Sequence, residues 1–294
     1  MQNIKKPEEL HQVRTPEYVI KRRKEVRSQV LITTATTLIL LMSFIPIILM
    51  LFLSLKSKAQ FFGNFWAWPN PPQWKNYAAA WDDLAINMLN SIITVSVGTL
   101  ATVCLAAMSG FVFAKLEFPC KNFLFMMLLA LMMIPGVLTL TPSYKLIQRL
   151  HLNNTWWALW FSWTSGSQIM GIYMCRTFIS SQPSALFESA RIDGATEFQA
   201  FYKIAVPLAK PILATLVVMN IISMYGDFIW PLMVIESTKK QVISVQIRAY
   251  SSDSGTDYGK MIAGFVVCTI PLLLMFCTSA RLYIEGLTSG AVKA

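Results

Sequence analysis

The chain has 294 residues, 55% hydrophobic and only 14% charged, with a formal net charge of +10. A soluble domain carries roughly 25% charged residues, so this composition excludes an ordinary soluble fold: its apolar surface needs lipid to cover it. The positive charge is scattered over the loops between apolar runs, which points to anionic headgroups as neighbours and away from nucleic acid.

Crossing a hydrocarbon core takes about 20 residues in a helix, and uncharged runs of that length organise the chain. Residues 1–29 form a polar tail whose cluster Lys21, Arg22, Arg23 and Lys24 reads as a topology anchor or as a contact for lipid or a partner. The first apolar run, 30–55, contains Pro46 and is longer than the roughly 7–15-residue core of a cleavable signal, so it reads as a retained helix. Residues 56–86 follow as a long loop with Phe61, Phe62, Trp66, Trp68 and Trp74 among prolines. That is the composition of an interfacial belt, with contact to an external partner as the alternative. Further spans are read at 87–114, 122–144 and 152–175. The run 208–235 is equally apolar but carries Lys210 and Asp227, and it counts as a fifth. Between it and the last apolar run, 261–280 within a span of about 259–283, lies a polar, mobile-looking loop at 236–258 that suits a binding role. A short tail, 284–294, closes the chain.

The expectation is an all-α polytopic protein with six transmembrane helices. Basic residues accumulate on the cytoplasmic side of a membrane. With the N-terminus inside, sixteen of the 25 Lys and Arg fall on that side, which places both termini in the cytoplasm. Cys104, Cys175, Cys268 and Cys277 lie in spans and Cys120 in a turn, so no secreted disulfide framework is expected.

The most patterned segment is the inner loop 176–207. Pro183 suits a first helical turn, Asp193 and Gly194 supply a stop that tolerates a left-handed residue, and Thr196 with Gln199 makes a capping box for a second short helix. Pro207 marks the join to the next span. Two short helices with a sharp turn between them account for this pattern.

The loop resembles the "EAA" signature of ABC-importer membrane subunits, in which Glu-Ala-Ala, three residues, Gly, nine residues and Ile-x-Leu-Pro recur. Glu188, Ala190, Gly194, Ile204 and Pro207 match at that spacing, with Ser189 in place of the first alanine and Val206 in place of the leucine. The stretches from Asn90, from Ala114 to Pro119 and from Gly286 to Lys293 are similar to the carbohydrate branch, the maltose-type permeases. The resemblance implies a type I ABC importer permease fold in a bacterial inner membrane. It implies a homologous second permease subunit, two cytoplasmic ATPase subunits that bind ATP and Mg, an extracytoplasmic solute-binding protein and a sugar substrate, an oligosaccharide in that branch. It also implies that Glu188, Ser189, Ala190, Asp193, Gly194, Ile204 and Pro207 couple to the ATPase. The tail of the maltose-type subunit inserts between the nucleotide-binding subunits, which implies Gly290, Val292 and Lys293 as partner contacts.

An ionisable group inside a span is costly and marks a functional position by default, so Asp227 is read either as lining a water-filled path or as a hydrated structural residue at the outer interface. Asn220, Ser223, Tyr225 and Trp230 stand near it in sequence, and Trp163 and Gln168, with Ser162 and Ser165, face it from the fourth span as candidates for a substrate path. Each alone reads first as a helix-packing residue. Where the branch carries Trp-Asn-Asp this chain reads Tyr225, Gly226 and Asp227, which weakens any carry-over of sugar contacts. The charge of the sugar stays open, since Lys239, Lys240 and Arg248 lie outside.

No Gly-rich phosphate loop is present; the nearest string, Gly255 to Lys260, is one residue short and ends in Met261. ATP must therefore be hydrolysed by another chain, and no catalytic residue or resident cofactor is expected. His11 and His151 are too far apart to begin a metal site. The rivals are an ion-driven secondary carrier using Asp227, for which neither an inverted repeat nor paired broken helices are evident, and a non-transporting receptor.

Overall fold

A computed structural model describes the backbone of residues 16–255 and 257–291 and the side chains of 28–255 and 257–277. Among the described residues the chain is helical, with no strand. The helices are α1 (Pro16–Ser54), α2 (Lys58–Gly63), α3 (Lys75–Lys115), α4 (Lys121–Leu131), α5 (Gly136–Arg149) and α6 (Trp156–Ser180). They continue with α7 (Ser184–Ile192), α8 (Glu197–Leu208), α9 (Lys210–Gly226), α10 (Ile229–Val234), α11 (Ile243–Asp253) and α12 (Tyr258–Ala291).

The frame is the long pairing of α3 with α6. At 41 residues α3 is about 60 Å long at 1.5 Å per residue, well beyond a hydrocarbon core, so part of it stands in water. Small residues let the two backbones approach. A Cβ on Gly110 would collide with Cys175 Cβ and lie 3.0 Å from the Arg176 backbone nitrogen, and a Cβ on Gly171 would lie 2.8 Å from Ala106 Cβ. Polar side chains add fixed points: Trp160 Nε1 donates to Thr94 O at 3.1 Å and Gln168 Nε2 donates to Thr102 O at 3.0 Å. Close approach and hydrogen bonding are what remain to hold helices together where lipid is as apolar as the side chains. On the other side α9 and α12 pack on α3, and Tyr225 Oη donates to Cys268 O at 2.7 Å between them.

Four expected elements differ. The span read at 122–144 is two helices, α4 and α5, meeting at 98°. Pro135 explains the break: it has no N–H to donate and pushes Ile134 out of the helical region, while the turn before it tightens through Met133 N–H to Ala130 O at 3.1 Å and Ile134 N–H to Leu131 O at 3.2 Å. The run 208–235 is also interrupted. A 76° bend separates α8 from α9 at Ala209, because Pro211 cannot bond back to Pro207, and a second break at Asp227 separates α9 from α10. Thirdly, the loop read as mobile at 236–258 contains α11, whose Ile243, Val245 and Tyr250 are buried. The belt loop is shorter than read, since α3 begins at Lys75.

Among the described residues three segments, Ser28–Ser54 in α1, α3, and Tyr258–Cys277 in α12, are long and apolar enough to cross a membrane, and five if each bent pair counts as one span. The 25-residue α6 has the length but is diluted by Ser162, Ser165, Ser167 and Gln168.

At one end of the molecule Lys56 is fully buried, its Nζ donating to Asn64 O at 2.8 Å and Phe65 O at 2.7 Å and lying 4.7 Å from the centre of the Phe52 ring. The buried ammonium thus trades water for two carbonyls and a ring face. Asn76 Nδ2 donates to Ser54 O at 2.9 Å and Lys56 O at 3.0 Å, so the end of α1, the aromatic loop and the start of α3 close on one point.

Replacing Gly110 by Leu should force α3 from α6 at a cost of about 1–3 kcal/mol or more. A lowered thermal midpoint of the detergent-purified protein checks this. Gly63→Ala, which meets nothing within 4 Å, should leave the midpoint where it is.

Candidate functional site

The hairpin of α7 and α8 is built around one left-handed residue. Gly194 has φ +80°, and the bonds Ala195 N–H to Ala190 O at 2.9 Å and Gly194 N–H to Arg191 O at 3.1 Å close a Schellman motif at the end of α7. α8 starts on a complete capping box: Gln199 N–H donates to Thr196 Oγ1 at 3.2 Å and Thr196 N–H donates to Gln199 Oε1 at 2.9 Å. Both features were legible in the residue pattern.

Arg191 links the two helices. Its Nε donates to Glu197 Oε1 at 2.7 Å and its Nη2 to Glu197 Oε2 at 3.2 Å, across the turn, with a longer 3.4 Å bond to Lys115 O at the end of α3. The hydrogen bond to Glu197 is the main reason the Arg191 guanidinium is held above its ordinary pKa; burial opposes it, and the charges of Glu197 and Glu188 add to it.

The hairpin has a buried side and a bare side. Phe187 is only 1% exposed, 6.1 Å from the Phe111 ring, with Lys115 Nζ 4.6 Å from its centre. Phe187, Ala200 and Ala205 join Phe111, Cys175 and Ile179 in one core. Outward, Glu188, Ser189, Asp193 and Gly194 are exposed and Ala190 is half-buried. Ile192, Phe198 and Tyr202 are 86%, 67% and 65% exposed, three large side chains left bare on a short hairpin. Exposed apolar side chains rimmed by polar residues have the composition of an interaction surface. Ile204 lies in the π-helical turn Phe201–Ala205 and Pro207 in the last turn of α8, so both shape the bend into α9 and stand off the bare patch.

The second feature is a cleft of about 400 Å³ between α5, α6 and the break after α9, lined by Thr139, Ser143, Ser162, Trp163, Ser165, Asp227 and Trp230 among others. Asp227 is the residue at the break itself. Its Oδ2 accepts from Trp163 Nε1 at 2.7 Å, its Oδ1 from Trp230 N–H at 3.4 Å, and its backbone O from Ser244 Oγ at 2.6 Å. Trp230 Nε1 donates to Ala158 O at 3.1 Å. The cleft therefore offers hydroxyls, an indole and one carboxylate, groups suited to polyhydroxylated solutes.

Of the residues read as a path, the structure brings Asp227, Trp163 and Trp230 together. It does not bring Asn220, whose Nδ2 bonds back to Leu216 O at 2.8 Å, or Tyr225, which is committed to Cys268. Gln168 is spent on Thr102, and Ser223 is exposed away from the lining. Thr139 and Ser143 were missed; the signal was hydroxyl residues on a segment interrupted by Pro135 and Pro142. Gly290 falls near the end of α12, whereas Val292 and Lys293 lie outside the described residues. Among the described residues no group of three or more His, Cys, Asp or Glu is placed to hold a metal ion.

Residues 103–284 match the family model of the binding-protein-dependent transport system inner membrane component. The chain is 29% identical to the diacetylchitobiose uptake system permease protein NgcG of Streptomyces coelicolor over 85% of its length and 84% of the relative's. It is 26% identical to the melibiose/raffinose/stachyose import permease protein MelC of Bacillus subtilis, covering 92% and 99% of the two chains. In fold it is similar to a chain of a bacterial ABC transporter that imports the acidic polysaccharide alginate, with a TM-score of 0.76 at 18% identity, over 88% of this chain and 97% of that one.

Valine at position 194 cannot adopt φ +80° without strain, so Gly194→Val should cost about 1–2 kcal/mol locally and Gly194→Asn less. The check is the rate of limited proteolysis across 190–200, which should rise in the order Gly, Asn, Val.

Proposed function

The chain belongs to the family of binding-protein-dependent transport system inner membrane components, and from that membership we propose that it is one half of the translocation path of an ATP-driven importer for an oligosaccharide. The sugar-importing relatives support the solute class. The observation that carries the mechanical part is the α7–α8 hairpin: rigid through Gly194 and Arg191, anchored in the core by Phe187, and bare at Ile192, Phe198 and Tyr202.

In this reading the chain crosses the inner membrane six times, with α1, α3, α4–α5, α6, α9 continuing into α10, and α12 as the spans, with the α7–α8 hairpin on the cytoplasmic side and with both termini in the cytoplasm. It stands beside a homologous permease subunit. Two ATPase subunits bind ATP and Mg on the cytoplasmic side, and a solute-binding protein delivers the sugar outside. Glu188 and the bare patch seat in a groove of the ATPase. When ATP closes the ATPase pair, the hairpin travels with it as one body and draws the inner end of α9 along through the bend at Ala209. The break at Asp227, at the far end of α9, then changes the cleft. The chain performs no chemistry; Gly290, Val292 and Lys293 make a second contact with the ATPase pair.

Reconstituted with its partners in proteoliposomes, the protein should take up oligosaccharide with ATP inside and continue when ionophores collapse the ion gradients; uptake that follows the gradient and ignores ATP contradicts the reading. Glu188→Lys should lose ATPase co-purification. Asp227→Ala should keep the ATPase bound and lower uptake by about tenfold or more, since it removes the carboxylate between Trp163 and the break. Equal behaviour of the two variants contradicts the division between hairpin and cleft.

A further inference from the structure

A second cleft, of about 460 Å³, opens between the outer half of α3 and the outer end of α6, as the membrane placement proposed above has them, and the loop joining α10 to α11. Its walls are Trp156, Trp157, Trp160, Asn90, Lys239 and Lys240. The loop is clamped by its backbone. Asn90 Nδ2 donates to Lys239 O at 2.8 Å and Gln241 O at 3.0 Å, and Trp156 Nε1 donates to Lys240 O at 3.1 Å. Carbonyls that would drift in a free loop are thus held, and the two lysine side chains are left to the cleft.

Their charge is uncompensated. Among the described residues the ion pairs are Lys121 with Glu117, Arg191 with Glu197 and Lys260 with Asp83, and neither Lys239 nor Lys240 joins a carboxylate. Lys240 Nζ donates one bond, to Asn154 O at 3.0 Å. Below the lysines the walls turn apolar and face outward. Trp157 is 54% exposed and stacks on exposed Phe161 at 5.5 Å, one turn further along α6. On α3, Ile93 and Val97 are exposed three and seven residues beyond Asn90, on its face of the helix. Cations at the rim, indoles beneath them and an open aliphatic stripe leading inward match the order of headgroup, glycerol and acyl chain in a bilayer.

We propose that this cleft is a binding site for an anionic phospholipid of the outer leaflet, its phosphate between Lys239 and Lys240 and its acyl chain along Trp157, Phe161, Ile93 and Val97. The site lies on the loop that leads from the Asp227 break to α11, and a bound lipid would hold that loop against α3 and α6.

The test uses the complete transporter with its partner subunits, purified and exposed to mixed micelles of phosphatidylglycerol and phosphatidylcholine, with retained lipid counted by native mass spectrometry. Lys239→Gln with Lys240→Gln should lower retained phosphatidylglycerol by about tenfold and leave phosphatidylcholine unchanged. Lys239→Gln alone should lower it by a smaller factor; its Nζ holds no part of the loop, so this variant reads charge without loss of structure. Unchanged phosphatidylglycerol in both variants overturns the proposal. So does displacement of the lipid by millimolar inorganic phosphate or by a uronic-acid oligosaccharide, either of which would make the cleft a site for a soluble anion. ATP-driven uptake by the unsubstituted complex is recorded on the same preparation: its absence overturns the transport reading, and the lipid count is judged separately.

Discussion

Hydrocarbon offers no hydrogen bonds, so a helix that breaks inside a membrane must have its freed backbone groups satisfied by other parts of the protein. This chain breaks its helices at Pro135, Ala209 and Asp227, and its proposed working parts are grouped around those breaks. At Asp227 the freed carbonyl is taken by Ser244 and the side chain by Trp163 and Trp230, which turns a costly interruption into a fixed polar corner beside the cleft. At Ala209 the ladder resumes at once, with Ala209 N–H to Ala205 O at 2.8 Å and Leu213 N–H to Ala209 O at 3.0 Å, and the chain bends while losing little bonding.

The unbroken helices do the opposite work. α3 and α6 lie in contact along Gly110, Gly171, Ala106 and Cys175 with hardly room for a methyl group, and interiors packed that closely shift between discrete arrangements and do not deform smoothly. A stiff pair beside an interrupted one gives motion a place to occur. The hairpin is linked to both: Arg191 and Phe187 reach the end of α3, and Pro207 leads through the bend into α9.

Much of this was legible in the residues where local chemistry decides. Gly194 needed φ > 0, Thr196 and Gln199 needed each other, and the spacing from Glu188 to Pro207 carried the family resemblance before any fold was known. The long apolar helices α1, α3 and α12 were legible because length and apolarity suffice for them. The breaks were not: Pro135 and Pro211 stood in runs apolar enough to read as continuous, and hydropathy does not register a lost N–H. Nor was the cleft fully legible. Asn220 and Tyr225 share a helix with the Asp227 corner, yet the rotation of α9 turns one back on its own carbonyls and the other toward α12, while Thr139 and Ser143 arrive from a segment that a straight span would have carried away. Helix rotation and bend are properties of packing, and a single chain's pattern underdetermines them.

The central claim is that the hairpin moves as one body and carries α9 with it. Spin labels at Ala185 and Lys203 report the hairpin's own geometry, and labels at Lys203 and Val137 report its position against α5. In the reconstituted complex, trapping the ATP-bound ATPase should leave the first distance distribution unchanged and shift the second by several ångströms. A change within the hairpin, or a fixed Lys203 to Val137 distance while the ATPase closes, would contradict the account.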